Sequence, residues 1–329
     1  MAVTLADLAQ VSKDPLYAGV LEQFLMYSNV MKVLPWKTIG DLRERYSRWS
    51  SLPTVAYRAI GGTYTADNGT FEQLEENLAI LGHYIDVDIQ LEGNASQMVN
   101  MGDEQSAMTM KAIAYLANND FINGDRSTDP NEVDGLKVRV GNLPARQTVN
   151  QALTTSLDVF TSTATVNTFF DLVIRGLNRL ETGHCDAIFL DETSLEGVFS
   201  AIRRASVAAS LGDYQTLTVN GNVWKFPTLN IGGQNIPLIT MGFTDEGEGT
   251  KIITQTEDPG DGGNDCSSLY LVNWQNENCF RPIQKNDVDI KDLGELQTSP
   301  QRRVRFEWPH GYCNPNNRSI VRVNEFAWK

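Results

Sequence analysis

Between Tyr84 and Leu91, apolar Ile85, Val87, Ile89 and Leu91 alternate with Asp86, Asp88 and Gln90, the period-two pattern of a strand with one wet face. The period then changes. From Ser96 to about Asn119, Met98, Met101, Met108, Ala112, Ile113, Tyr115 and Leu116 recur at helical spacing, and Asn94 with Gln97 three residues on offers a cap. Such a helix would be ~35 Å long, about twice the average. Gly124, within Phe121 to Asp125, supplies an exit residue suited to positive φ. Few neighbouring hydrophobic segments exist to bury this helix in a compact globule, so the pattern predicts a scaffold rib. Methionine at helical spacing fills packing gaps more readily than it binds a ligand.

On the N-terminal side, Leu5, Leu8, Leu16, Val20, Leu21, Phe24 and Leu25, with Pro15 as an entry, predict an amphipathic helical arm. Lys32, Lys37, Arg43, Arg45 and Arg48 are interleaved with Trp36, Tyr46 and Trp49. That mixture suits stacking on single-stranded nucleic acid or docking on a neighbour's acidic surface, and the acidic balance of the chain favours docking. Thr54 to Ala59, including Arg58, is a predicted strand. Gly61-Gly62 and Asn68-Gly69 mark turns, and Phe71 to Leu81 forms a return limb carrying Glu72, Glu75 and Glu76. This excursion holds little apolar material for its length and is expected to lie on another subunit.

Beyond the long helix, the spacing predicts a turn at Asp134-Gly135-Leu136 and a short strand from Lys137 to Val140. Thr165 then caps a helix with Val166, Phe169, Phe170, Val173, Leu177 and Leu180 on one face and Gly183 as its stop. A buried strand at Ala187 to Leu190 and a helix marked by Leu195, Val198, Phe199 and Ile202 imply a small sheet covered on both faces. A hairpin turn at 219–223, strands at Ile236 to Met241 and Leu269 to Val272, and an acidic, glycine-rich loop at 244–265 follow. Two alternating strands between Arg302 and Lys329 end the chain and are expected to pair with the strand at 84–91.

Composition narrows the classes. The 329 residues are 41% hydrophobic and 21% charged with a net charge of −14, ordinary for a globular protein of about two domains. The charge disfavours a protein whose main task is gripping nucleic acid. No apolar run approaches the ~20 residues of a membrane span, and the N-terminus lacks the layout of a secretory signal. Cys185, Cys266, Cys279 and Cys313 are scattered, which argues against a zinc site or a disulfide framework. His184-Cys185-Asp186 sets a thiol beside an imidazole and a carboxylate, but neighbouring residues point apart, and catalytic triads are assembled from distant positions. A structural turn is the expectation. The runs Asp258, Asp261, Asp265 and Asp287, Asp289, Asp292 lack the ordered ligands of a calcium loop. No catalytic, cofactor-binding or metal-ligating residue is assigned.

The order arm, long excursion, strand and long helix, inserted α/β unit, returning strands resembles the major capsid protein of tailed bacteriophages with the Hong Kong 97 fold. IDVDIQLEG, FINGD, DGL, SLYLVNW, DLGEL and RFEWPHGYCNPNNRSIVRVNEF look like segments of that family. The resemblance implies an α+β chain with an N-terminal arm at 1–52, an E-loop at 53–82, a P-domain at 83–144 and 291–329 whose spine helix spans about 96–119, and an A-domain at 145–290. It implies self-assembly into hexamers and pentamers of an icosahedral shell that encloses viral double-stranded DNA without sequence-specific binding. Implied partners are a separate scaffolding protein, a portal at one vertex and a cement or decoration protein. The location is the virion after assembly in the host bacterial cytoplasm, with no membrane and no cofactor. Residues 53–82 contain no lysine, so the crosslink some members form from this loop has no donor there. Charge segregation motivates intersubunit contacts of Glu72, Glu75 and Glu76 with Arg302, Arg303 and Arg305, or with Arg43 and Arg45, and Arg58 lies on the same loop. An encapsulin-like compartment shares the fold. From other classes, a hydrolase using Cys185 and a carbohydrate- or metal-binding module using the acidic loop remain open.

Overall fold

The computed structural model describes residues 26–90, 101–150, 157–204, 210–211, 214–219, 222–247, 249–258, 263 and 265–329. The amphipathic arm before residue 26, the Asn94/Gln97 cap, Met98 and the hairpin turn at 220–221 lie outside the described residues.

In chain order, α1 (Asn29–Val33) is capped by Ser28, whose hydroxyl accepts from the Met31 amide. It is followed by β1 (Lys37–Thr38), β2 (Arg43–Ser51), β3 (Thr70–Asn77), β4 (Ala79–Asp88), the long α2 (Met101–Asn123) and α3 (Leu136–Gly141). Next come β5 (Thr148–Val149), β6 (Leu157–Asp158), α4 (Thr163–Arg179), β7 (Ala187–Asp191), α5 (Glu192–Arg204), β8 (Ser210–Leu211), β9 (Gln215–Val219) and β10 (Asn222–Phe226). The chain closes with β11 (Thr228–Ile231), β12 (Gln234–Met241), β13 (Ser267–Val272), β14 (Arg281–Gln284), β15 (Asp289–Glu295), β16 (Gln301–Cys313) and β17 (Ile320–Ala327).

Two sheets and two hairpins result. A five-stranded sheet runs β1-β14-β16-β15 with β4 on the other side of β16, and an eight-stranded sheet runs β5-β17-β13-β7-β12-β11-β8 with β6 also on β17. Among the described residues, β2 pairs only with β3, and β9 only with β10. Alternation along β7 and β13 sends side chains to opposite faces of the larger sheet. Phe189, Tyr270 and Val272 join a core with Phe121 of α2 and with Phe306 and Trp308 of β16. On the other face Ile188, Leu190, Leu269 and Leu271 join Phe169, Phe170 and Val173 of α4 and Val198 of α5. The larger sheet is therefore a middle layer, as expected for a sheet covered on both faces.

Several local expectations are corrected. Met110, Ile113, Ala114, Ala117, Phe121 and Ile122 of α2 are buried in the shared core, because the two sheets supply apolar partners that are remote in sequence. Met108 and Leu116 stay exposed on the opposite face. Gly124 does not adopt positive φ. It is needed because a Cβ there would stand 2.4 Å from the Val133 carbonyl oxygen, where Gly135 donates to the Gly124 carbonyl at 2.8 Å. The segment 137–140 is helical: Leu136 and Val140, four apart, are both buried, whereas the period-two pattern had suggested a strand. Ser162, not Thr165, caps α4, with Thr165 answering as the reciprocal partner of a capping box. No strand covers 54–59; the hairpin stem is β2 with β3. Of the two closing strands, β16 pairs with β4 from Gln301↔Asp88 to His310↔Ala79, but β17 pairs with β13. Its alternation fits either sheet, and burial of Val321, Val323 and Phe326 against α4 selects the larger one.

Candidate intersubunit surface

The β2/β3 hairpin is a charged ribbon. Arg45 faces Glu75 and Arg48 faces Glu72 across the ladder. Arg43 and Arg45 reach Glu75 at 3.1 and 2.8 Å, and Arg48 reaches Glu72 at 3.2 Å. The hydrogen bond from Arg45, outweighing slight desolvation, holds the Glu75 carboxyl below its ordinary range. These pairs are largely solvated, so each contributes little to stability. They fix register more than stability, since opposite charges across a ladder make a one-residue slip unfavourable.

Beyond the stem, residues 52–69 carry the most exposed of the large apolar side chains among the described residues. Val55 is 90% exposed, and Tyr57 and Ile60 are fully exposed. Local polar bonds hold the tip. Asp67 accepts from the Thr54 amide at 2.8 Å, Arg58 donates to the Ala59 and Gly62 carbonyls, and its guanidinium lies 5.4 Å from the centre of the Tyr64 ring. Gly61 at φ 84° occupies the left-handed region that favours glycine. Trp49, Leu52, Pro53 and Phe71 line a shallow apolar groove where tip and stem meet.

At the root of the hairpin the charge is inside. Glu76 is 6% exposed and Arg139 8%. Two nitrogens of Arg139 donate to the Glu76 carboxylate at 2.9 and 3.4 Å, and Arg126 approaches it at 3.3 Å. Arg126 also donates to the Asn77 carbonyl, and Arg139 to the Asp134 carbonyl at 2.7 Å. Burial alone would lower the Arg139 pKa, but the adjacent Glu76 charge more than offsets this and leaves it raised. Glu76 is thus the bolt that joins the hairpin to α3 and the loop after α2. Neither Arg126 nor Arg139 was singled out from sequence. The available signal was an arginine within the helical face Leu136–Val140, a charge on a buried side that demands a counter-charge.

Within this one chain the remaining expected contact residues also have partners. Arg302 pairs with Asp292, Arg303 makes two 2.6 Å bonds to Asp86, and the Arg305 Nε lies 3.3 Å from Glu307. The basic and aromatic residues from Lys32 to Trp49 do not form a single surface. Lys32 and Trp36 are buried, the latter edge-on to Trp308 at 4.9 Å.

Alternation along the chain separates the members of the His184-Cys185-Asp186 triplet. His184 Nε2 meets Asp186 Oδ1 at 3.0 Å, while the Cys185 thiol points inward and donates to the Ala187 carbonyl at 3.2 Å. Burial and the Asp186 charge push the thiol far above its ordinary pKa, so it is neither ionised nor beside a base. Of the two acidic runs, Asp265 pairs with Lys329, Asp287 accepts from Gln284 and Asp292 pairs with Arg302; Asp261 lies outside the described residues.

Residues 17–167 match the family model of major capsid protein GP7. No curated protein matches the chain. Among solved structures, the holo-SrpI encapsulin complex from Synechococcus elongatus PCC 7942 is similar with a TM-score of 0.59 at 12% identity, over 98% of this chain and 94% of that one. The capsid of the native GTA particle gives 0.61 at 9% identity over 91% and 90%. Mycobacterium phage Cain gives 0.57 at 11% identity over 98% of both chains. Identities this low establish the shared fold. With a projecting hairpin, a long helix backed by a sheet and a second sheet layered upon it, the chain has the Hong Kong 97 fold of these shells, and its residues 17–167 are similar to major capsid protein GP7.

Proposed function

We propose that copies of this chain assemble into hexamers and pentamers of an icosahedral shell that encloses double-stranded DNA, formed in the cytoplasm of a bacterial host. In this reading residues 1–52 act as the arm, 53–82 as the E-loop, 83–144 with 291–329 as the P-domain and 145–290 as the A-domain. The observation that carries it is the hairpin tip. Val55, Tyr57 and Ile60 stand exposed at the end of a ribbon tied down at its root by Glu76. A contiguous apolar projection on an acidic protein fits a surface that a neighbouring subunit covers. The solvated stem charges Arg43, Arg45, Glu72 and Glu75, with Arg58 at the tip, would then meet Arg302, Arg303, Arg305 and their acidic partners on the neighbour, exchanging intrachain pairs for interchain ones. Glu76 is left out of that exchange, since opening its buried pair would strand a charge. Many modest contacts repeated by symmetry give a total that no single pair supplies. A separate scaffolding protein, a portal and a cement protein complete the assembly.

Similarity to an encapsulin over nearly the whole chain supports a second reading, a compartment shell with protein cargo. The test is light-scattering mass after size exclusion, with negative-stain images and nuclease-protected nucleic acid measured on the same fractions, from cells expressing the chain with and without its neighbouring genes. Uniform shells holding protected DNA are expected. Shells that hold only protein would favour the compartment, and a monodisperse monomer under both conditions would reject both readings.

A further inference from the structure

Three asparagine-glycine pairs occur in the chain, at 68–69, 123–124 and 220–221, and the last lies outside the described residues. The pair is a chemical weak point: with no Cβ on the glycine to obstruct it, the glycine amide nitrogen can reach the carboxamide carbon of the asparagine before it. The fold decides whether it does.

At 123–124 both reacting groups are engaged. Asn123 is half-buried, and its carboxamide donates to the Ile252 carbonyl at 2.7 Å and to Asn119 Oδ1 at 3.1 Å. The Gly124 amide donates to the Asp120 carbonyl at 3.1 Å.

At 68–69 neither is engaged. Asn68 is exposed on the hairpin tip. Among the described residues its carboxamide meets no partner, and the Gly69 amide donates to no backbone carbonyl. The usual reasons for asparagine in a turn are missing as well, since its φ is not positive and its side chain closes no local turn. The glycine, by contrast, is imposed. A Cβ at 69 would stand 2.8 Å from the Ser51 carbonyl oxygen and 3.0 Å from Pro53 Cδ, so the crossing of the two limbs keeps the reactive pair in place.

We propose that Asn68 is a self-modification site of the free chain, converted there to an aspartyl or isoaspartyl residue, and that a neighbouring copy covering the tip stops the reaction. The shielding rests on the shell reading above. The Gly69 nitrogen gives up its proton and bonds to the Asn68 side-chain carbonyl carbon; the carboxamide carbon–nitrogen bond breaks, and ammonia leaves with the proton. Water then opens the cyclic imide at either carbonyl, forming a carboxylate and restoring a peptide link. Opening at the main-chain carbonyl routes the link through the side chain and adds a carbon to the backbone, where the two limbs lie closest. Either product sets a second carboxylate beside Asp67, which holds the Thr54 amide at 2.8 Å. Both change the tip in shape and charge. A covered tip is denied the backbone freedom that attack needs and the water that imide opening consumes.

The test ages the full chain and its assembled shells side by side in mildly alkaline buffer, then maps peptides by mass and by isoaspartyl-specific methyl transfer. In the free chain the Asn68 peptide is expected to convert about tenfold or more faster than the Asn123 peptide, which must first open locally. Shells should convert Asn68 about tenfold or more slowly than the free chain, for the same reason. Aged wild-type chain should lose assembly in proportion to conversion, Asn68→Asp should assemble poorly from the start, and Asn68→Gln should keep its assembly on ageing. Unfolding midpoints equal to the wild type show that both variants fold. Equal conversion of Asn68 and Asn123 in the folded chain overturns the site, and equal conversion in chain and shell overturns the shielding. Undiminished assembly of fully converted chain overturns the effect on the tip. A wild-type chain that never assembles rejects the shell reading and the shielding with it, while the ratio of the two peptides in that chain still decides the site.

Discussion

Two guanidinia converge on Glu76 inside the hairpin root, so removing one side strands a buried charge. Arg139→Met is expected to lower stability by about 3–5 kcal/mol in urea unfolding, whereas Glu72→Lys, at a solvated pair, should change it by no more than about 1 kcal/mol. Equal effects would show that the root is no more buried than the stem. Sequence treats Glu72, Glu75 and Glu76 alike. Period two separates Glu75 from the other two, but depth separates Glu76 from Glu72, and depth comes from α3 packing over one end of the ribbon.

Burial also shifts two acid–base groups in opposite directions. Asp120, 7% exposed, is raised to about 7 by desolvation and then by the Glu132 charge. Its contribution to stability is complete below about 4 and is lost as pH rises through about 7. His310, stacked on Trp308 at 4.1 Å, is lowered to about 4 by desolvation. Its contribution is complete above about 6.5 and is lost as pH falls through about 4. The two slopes oppose each other in the interval between. Asp120→Asn removes the first, so the variant should gain on the wild type as pH rises from 4.5 to 8, and its own stability should climb more steeply between 4.5 and 6.5. Urea midpoints at pH 4.5, 6 and 8 decide this, and a constant gap would reject the assignment to Asp120.

At the scale of elements, the hairpin and α5 make contrasting predictions. Tyr57→Ser/Ile60→Ser removes side chains that touch little within the chain, so the unfolding midpoint should stay within about 0.5 kcal/mol while the assembled fraction falls. A shifted midpoint with assembly intact would reverse the role given to the tip. In α5, a Cβ at Gly197 would stand 2.3 Å from the Trp328 indole, whose Nε1 donates to Ser194 at 2.9 Å. Gly197→Ala is expected to cost about 1–3 kcal/mol through overpacking, against Ser200→Ala on the same helix as a control. The elements that sequence placed well, α2, α4, β7 and β13, have long or strongly apolar patterns. The stem strand β2 went unseen because its residues alternate in charge rather than hydropathy, and α3 was misread because six residues are too few to separate the two periods.

For the whole molecule, Phe121 of α2 is the joint between layers. Its ring lies 4.9 Å from Phe189 of the larger sheet and 5.4 Å from Tyr312 of the smaller. Phe121→Ala is expected to destabilise both sheets together, by about 3–5 kcal/mol in one cooperative transition. Amide exchange that sped up in one sheet alone would show two independent cores. By itself, the sequence determined the long helix, the sheet covered on both faces, the projecting excursion and the acidic loop, because periodicity, glycine placement and charge runs are local properties. Tertiary structure decided which sheet receives β17, that α2 is buried on one face, and that Glu76 is a bolt and not a contact. Each of these depends on which residues become neighbours between segments remote in the chain, or on how deep they lie once they do, and no local pattern encodes that.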